Sequence, residues 1–351
     1  MRHERATPMR EGNFTGAASA HGRMVELVIG ARIALALRFA AEHRLADLIA
    51  NGLVSPDALA AKTGFPSTAL RRVLRGLAGV GVFAESPNGE FSNTDMSAYL
   101  CEGVASSLRE MTLVLNDDAV LNAWLRLPAV LDSEAPIFTA TSGMPFFQYI
   151  AADQQRSELM SKYMMGMYGA EGGKIAAGYP FDRFRSLLDV GGGQGHVLLE
   201  ILRRHPALKG ALFELPRTAE IARHFLSAQG RGDCEVFGGD FFKSVPPGFD
   251  AYFAKSVLHD WDDEKCVQIL RNCRDAMPVD ARVLLAEIVV EPGKPVGHPH
   301  RLVDLEMMVC FGGKERTADE FAHLLGSAGL RMEKITPIDN SFFAVIEASR
   351  V

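Results

Sequence analysis

Hydrophobic positions along the chain fall into two regimes. Up to about residue 178 they recur at helical spacing, and beyond it short apolar runs alternate with amphipathic segments. From His21 to about Ile49, Val25, Leu27, Val28, Ala31, Ile33, Leu35, Ala36 and Leu37 cover nearly the whole circumference of a helix. Such a helix must be buried on more than one side, which in a chain of this size points to an intertwined dimer. Ser55-Pro56-Asp57-Ala58-Leu59 predicts a helix with Ser as N-cap and Pro at its first position, Gly64 ends it, and Ser67 to Leu77 predicts another. Val82-Phe83-Ala84 and Phe91-Ser92, around Pro87-Asn88-Gly89, read as a hairpin, which completes a winged helix. Residues 105 to 178 read as helical throughout, with Gly143-Met144-Pro145-Phe146-Phe147 starting one helix and Asp153 capping the next.

After Leu187 the expected strands are 187–190, 210–213, 234–237, 250–255 and 281–289, and the expected helices 196–204, 217–228, 263–276 and 318–329. Two last strands, 331–337 and 342–347, follow without an intervening helix. The alternation predicts an α/β fold with a mostly parallel sheet that closes in an antiparallel hairpin. The domains are then a tail (1–20), a helical winged-helix unit (21–178) and a sheet domain (179–351).

Composition narrows the function classes. At 351 residues the chain is long enough for two domains, and 48% apolar with 23% charged residues suits a globular protein. A net charge of −6 speaks against a nucleic-acid or anionic-membrane binder. Arg71, Arg72 and Arg75 lie on the would-be recognition helix, so the winged helix is read either as a DNA reader or as a scaffold reused for dimerisation. The acidic balance favours the scaffold. Cys101, Cys234, Cys266, Cys273 and Cys310 form no C-x-x-C pair, so a reducing compartment, the cytoplasm, is expected. There is no apolar run of membrane-spanning length and no secretory h-region in the first 20 residues, which read as a frayed tail. His298-Pro299-His300 has the residue type of metal ligands but no cysteine or second pair beside it, so no metal is expected.

The chemistry converges on Leu187-Leu188-Asp189-Val190-Gly191-Gly192-Gly193-Gln194-Gly195-His196, a strand, a glycine turn and the start of a helix. Such turns lie where doubly wound sheets bind ligands. Gly191, Gly193 and Gly195 make G-x-G-x-G rather than the G-x-G-x-x-G of dinucleotide binders. Glu214 closes the next strand and suits a ribose diol. Together they fit a nucleoside with an amino-acid tail better than a pyrophosphate. Gly239-Asp240-Phe241-Phe242 follows another strand, where Asp240 suits an adenine amino group and Phe241 its ring face; a turn backed by core phenylalanines is the plain alternative. His259, after Lys255, and Glu287 are placed at the ends of adjacent strands, a base beside an orienting carboxylate. Asp260, Asp262, Asp263 and Glu264 are equally explained by a helix start, but that leaves His259 unexplained. Met160, Met164 and Met167 share one helical face, either as core filling or as the wall of a pocket for a flat apolar substrate.

Asp189-Val190-Gly191-Gly192-Gly193, Glu214-Leu215-Pro216, Gly239-Asp240-Phe241-Phe242, His259-Asp260-Trp261 and Gly312-Gly313-Lys314-Glu315-Arg316-Thr317 occur in this order. Over residues 22 to 349 the chain resembles the S-adenosylmethionine-dependent O-methyltransferases of the plant caffeate and bacterial polyketide type. The resemblance implies a Rossmann-like methyltransferase sheet and an N-terminal domain that makes a swapped homodimer. Asp189, Gly191, Gly193, Glu214, Leu215, Asp240, Phe241 and Lys255 would then hold S-adenosylmethionine. His259 would be the general base, with Glu287 and Glu315 as steering carboxylates. Phe146, Phe147, Met160, Met164, Met167, Asp260 and Met308 would receive an aromatic or polyketide-like acceptor, beside Phe311. Glu214 replaces the more usual aspartate, His196 a smaller residue, and Glu306 stands where bacterial relatives often carry asparagine; a carboxylate there either selects a donor-bearing substrate or faces water. Three other readings stay open: a nicotinamide-dependent oxidoreductase, a ligand-responsive DNA-binding regulator, and a relative that methylates nitrogen or uses the cofactor structurally for hydroxylation or decarboxylation.

Overall fold

Arg44, held in the left-handed region at φ 54°, divides the first apolar run into two helices, Ala20–Glu42 and Leu45–Ala50. The kink turns Leu45, Ala46 and Ile49 into a core shared with Leu59, Leu70, Leu74, Phe83 and Phe91. The long first helix itself buries only Ala40 and Ala41, and leaves Met24, Leu27, Val28 and Leu35 between 47% and 67% exposed. These belong to a computed structural model that describes residues 19–104, 107–133, 136–293 and 300–351. The N-terminal tail before residue 19, and His298 and Pro299, lie outside the described residues.

The chain divides into two units. One comprises the residues up to Asp117 together with Gln155–Gly166; the other comprises Asp118–Gln154 and Met167–Val351. In the first, Ser55 caps the helix Pro56–Thr63 through the amide of Ala58, and Gly64 (φ 80°) stops it. The helix Ser67–Ala78 buries Leu70, Leu74 and Leu77, and the strands β1 (Phe83–Glu85) and β2 (Phe91–Asn93) pair antiparallel beyond it. Two of its arginines are spoken for within the wing: Arg75 makes a bidentate pair with Glu85 and Arg71 donates to the carbonyl of Gly89.

The stretch expected to be one helical block is a series of short helices, Arg109–Leu115, Asp118–Trp124, Leu127–Ser133, Ile137–Ser142 and Phe146–Ala151, followed by the long Gln154–Gly178. Pro136 and Pro145 stand at the N-caps of two of them, where the missing amide costs nothing. The contacts therefore do not divide the chain at residue 178: Asp118–Gln154 belongs with the sheet, and the long helix is shared between the units.

The second unit is built on eight strands: β3 (Ser186–Val190), β4 (Lys209–Glu214), β5 (Glu235–Gly238), β6 (Ala251–Lys255), β7 (Arg282–Val290), β8 (Arg316–Thr317), β9 (Leu330–Pro337) and β10 (Phe343–Arg350). Their order is β5-β4-β3-β6-β7-β10-β9, with β8 on the end of β7. All pairs are parallel except those of β10, which is antiparallel to both β7 and β9. Alternation along β3 sends Leu188 and Val190 into one core and Leu187 into another on the opposite face. Crossovers leave β3 toward β4 on one side and return to β6 on the other, which opens a crevice at the carboxyl ends of β3 and β6.

Candidate active site

The glycine turn caps that crevice. Gly191 (φ 73°), Gly193 (φ 58°) and Gly195 (φ 89°) all have left-handed backbone, and no atom lies within 4 Å of where a Cβ on Gly193 would stand. Asp189 folds beneath the turn, so that a Cβ on Gly192 would meet its Oδ2 at 2.3 Å. Both carboxylate oxygens of Asp189 are buried without a hydrogen-bond partner. Burial, then the Glu214 charge, pushes its pKa up to about 7 against the pull of Lys255. Glu214 accepts from the amide of Leu215 at 2.5 Å, and burial raises its pKa. Leu215 itself is 54% exposed. Asp240 closes its own turn by accepting from the amide of Phe242 at 3.0 Å, and Phe241 stands 3.6 Å from a Gly191 Cβ position, flanking the turn. Lys255 donates to Ser256 at 3.0 Å and lies 4.3 Å over the ring of Phe343. Burial lowers its pKa to about 8, opposed by Glu287, Glu171 and Asp189.

After Lys255 the chain turns sharply at Ser256, whose φ of 51° is costly for a residue with a side chain. The turn starts a loop whose 3₁₀ segment, Leu258–Asp260, carries His259. Glu287, on β7 and 1% exposed, accepts from the amides of Val257 (3.1 Å) and Leu258 (3.0 Å). It therefore holds the loop rather than the imidazole. The imidazole's partner is Glu315, whose Oε1 lies 2.9 Å from Nδ1; Nε2 is 3.5 Å from Asp260 Oδ1. Burial alone would lower the imidazole's pKa, but Asp260, the Glu315 hydrogen bond and Glu287 together raise it to about 9. Burial also raises Asp260 to about 7 and moves Glu287 upward. With Nδ1–H donating to Glu315, the neutral ring presents Nε2 as an acceptor.

Beside this cluster the second unit builds an aromatic wall. Phe146 meets Phe311 at 4.6 Å and Phe138 at 5.2 Å between ring centroids, and Phe147 meets Phe311 at 5.4 Å and Trp261 at 6.3 Å. Phe146 is buried and Phe147 is 42% exposed. Phe311 ends one turn of π-helix, Met307–Phe311, which also carries the half-buried Met308 and continues the helix His300–Glu306. Sequence periodicity gave no sign of either segment. Glu306, partly buried, accepts from the indole of Trp124 at 2.7 Å and from Cys310 at 3.2 Å. His196 lies edge-on to Phe225 at 4.2 Å, its pKa lowered by burial.

The structure thus gathers Asp189, the glycine turn, Phe241 and Lys255 at one crevice, and His259, Asp260, Glu287 and Glu315 next along the same rim. Met160 and Met164 lie on the part of the long helix counted with the first unit, Met160 partly buried and Met164 exposed, whereas Met167 begins the part counted with the second. Among the described residues no group of three His, Cys, Asp or Glu is placed to hold a metal ion. Four participants carried no assignment in the sequence: Arg316, Asp304, Glu171 and Ser256. Asp304 accepts from the Glu315 amide at 2.8 Å, and Glu171 from Lys174 and Ser341.

Comparison with known proteins shows the family. Residues 124–331 match the model of the O-methyltransferase domain, and residues 25–103 match that of the O-methyltransferase dimerisation domain. The chain is 33% identical to a phenazine O-methyltransferase of Lysobacter antibioticus, over 97% of this chain and 99% of the relative. The solved structure of the mitomycin 7-O-methyltransferase MmcR superposes with a TM-score of 0.89 at 34% identity, covering 95% of this chain and 98% of that one. That of NcsB1, an O-methyltransferase from neocarzinostatin biosynthesis, superposes with a TM-score of 0.82 at 30% identity over 91% and 96% of the two chains. NcsB1 was solved in complex with S-adenosylmethionine and 2-hydroxy-5-methyl naphthoic acid. The chain belongs to the S-adenosylmethionine-dependent small-molecule O-methyltransferases, with an N-terminal dimerisation domain ahead of a mostly parallel sheet that ends antiparallel.

Proposed function

We propose that the enzyme methylates a phenolic or enolic hydroxyl of an aromatic or polyketide-like acceptor, with His259 as general base. One observation carries the reading: Glu315 occupies Nδ1 of His259 at 2.9 Å, which leaves Nε2 to take a proton. S-adenosylmethionine supplies, when bound, a methyl already activated on a sulfonium. The protein's work is then to align, desolvate and deprotonate the acceptor. A phenol of pKa about 10 and an imidazolium near 9 differ by about one unit, so from the neutral ring the proton moves at a cost of about 1.4 kcal/mol, to which the cost of deprotonating the ring is added below pH 9. A histidine near 7 would face about three times that.

The residues present fit the cofactor. The partnerless carboxylate of Asp189 suits an ammonium group, and the left-handed glycines with open space over Gly193 admit a ligand against backbone. Glu214 with Leu215 would receive the ribose, Asp240 and Phe241 the adenine, and Lys255 the carboxylate end. Glu287 would hold the loop that carries the base. Phe146, Phe147, Met308 and Asp260 would form the acceptor side. NcsB1's naphthoate ligand supports acceptors of that shape. The working form would be a cytoplasmic homodimer. The dimerisation-domain match supports the dimer, and five unpaired cysteines support a reducing compartment.

The test is a panel of hydroxynaphthoates, hydroxyphenazines and aryl amines with methyl-labelled S-adenosylmethionine, run on wild type and His259→Ala. Label on oxygen, lost at least a thousandfold in His259→Ala while S-adenosylhomocysteine still binds, is the expected outcome. Equal turnover by the two proteins removes His259 from the reaction, and label on nitrogen alone moves the chemistry to amines.

A further inference from the structure

We propose that Arg316 is the positioning residue of the His259–Glu315 pair, a clamp that sets the register between the loop carrying the imidazole and the carboxylate that orients it. The inference rests on the reading of His259 as base. Arg316 is the largest fully buried side chain of the described residues, with no exposed surface at all. Nη1 donates to the carbonyls of Leu258 (2.9 Å) and Lys314 (3.3 Å). Nη2 donates to the carbonyl of Trp261 (2.8 Å) and to Asp263 Oδ1 (2.7 Å), and Nε to the same Asp263 oxygen (3.1 Å). A guanidinium has five N–H groups, and these five contacts use them all.

The placement of the acceptors gives the clamp its meaning. Leu258 immediately precedes His259 and Trp261 immediately follows Asp260, so one rigid plane brackets the two residues between them. Lys314 immediately precedes Glu315, and Arg316 itself follows it and pairs with Val289 at the end of β7. The backbone on both sides of Glu315 is thereby tied to the backbone on both sides of His259 and Asp260. Asp304 on the Glu315 amide and the close approach of Gly313 to the carbonyl of His259 act in the same direction. A buried guanidinium used only to neutralise charge would need Asp263 alone. Here three of five donors go to carbonyls that flank the reacting pair. Lysine, a point charge on a flexible stem, cannot reproduce a five-donor planar fork.

Arg316→Lys, Glu315→Gln and the double variant are compared in the full-length protein. The His259 titration is followed by NMR of histidine-labelled protein saturated with S-adenosylhomocysteine, and turnover is measured with the best acceptor of the panel above. Arg316→Lys is expected to bind S-adenosylhomocysteine within threefold of wild type. Its His259 midpoint should fall by at least one pH unit and its kcat by tenfold or more, with KM within threefold. The double variant should lose little beyond Glu315→Gln, since both act through one hydrogen bond. An unmoved midpoint in Arg316→Lys, or losses that simply multiply, makes Arg316 a structural staple and overturns the proposal. Should Arg316→Lys not fold, Asp263→Ala removes the acceptor of Nη2 and Nε, and a midpoint unchanged in that variant overturns it equally. The midpoint is read without turnover, so a failure of the base assignment, seen in His259→Ala, is distinguishable from a failure of the clamp.

Discussion

At the scale of single residues, the buried charges dictate how the enzyme responds to pH. As the proposed base, His259 would act only when neutral, and its neighbours raise its pKa to about 9. The kcat/KM of the wild type should therefore climb about tenfold per pH unit below that value and level off above it. Glu315→Gln, which removes one of the causes, should shift the bend to lower pH while lowering the plateau. A pH–rate profile bending near 6.5 would contradict the raised pKa. Asp189 supplies a second case with the sign reversed in consequence. Its folded pKa of about 7 lies above the ordinary aspartate value of 3.8, so the folded state holds the proton more tightly. Stability from this group is present below about pH 3.8 and lost as the pH rises through 7. Asp189→Asn should thus stabilise the cofactor-free protein at pH 8, on the order of 2–4 kcal/mol, yet weaken S-adenosylhomocysteine binding at least tenfold. Urea melts and calorimetry give both numbers. Loss of stability in that variant at pH 8 would show that the carboxylate has a partner in the free protein.

At the scale of elements, the parts that sequence patterning makes legible are those whose partners are local. The strand ending in Asp189-Val190, the helix from His196 and the closing hairpin all carry their period and their stops within a dozen residues. The segment from His300 to Phe311 does not. Its last turn is a π-helix, whose wider spacing breaks the 3.6-residue period, and Glu306 is satisfied by Trp124, 182 positions away in sequence. The same limit hid the distinction between Glu287 and Glu315. Both read as carboxylates near His259, and only the register of β7 puts one on the loop amides and leaves the other to the ring. Gly313 shows what such a junction demands. A Cβ there would fall 1.9 Å from the carbonyl of His259, so the glycine is required by backbone meeting backbone. Gly313→Ala is expected to lower kcat at least a hundredfold, because the loop must move to admit the methyl. It should cost about 1–3 kcal/mol in stability, with S-adenosylhomocysteine affinity near wild type. Retained kcat in a folded Gly313→Ala would mean that the loop tolerates displacement of its base.

At the scale of the whole molecule, one helix is unfinished in a single chain. An apolar surface running through Met24, Leu27, Val28 and Leu35 is left 47% to 67% exposed, whereas the core of the same unit is closed around Leu45, Leu59, Leu70 and Leu74. Each exposed aliphatic side chain costs about 1.5–3 kcal/mol relative to burial, so the four together provide a strong drive to find a cover. The match of residues 25–103 to a dimerisation domain supports a second copy as the cover. The nearly all-round apolar pattern of the first helix points the same way from sequence alone, because such a helix is not satisfied by one layer of neighbours. A charge at its centre should then act through assembly rather than through folding. Val28→Glu, at 67% exposure, lies outside the core of the chain, and Leu59→Ala, fully buried, serves as the contrasting core lesion. Light scattering of wild type is expected to give twice the 38.2 kDa chain mass. Val28→Glu should shift the mass toward one chain with its circular dichroism preserved, and Leu59→Ala should lower stability by about 2–5 kcal/mol without changing the mass of what remains folded. A Val28→Glu protein that is still fully dimeric at micromolar concentration would place the interface on another face.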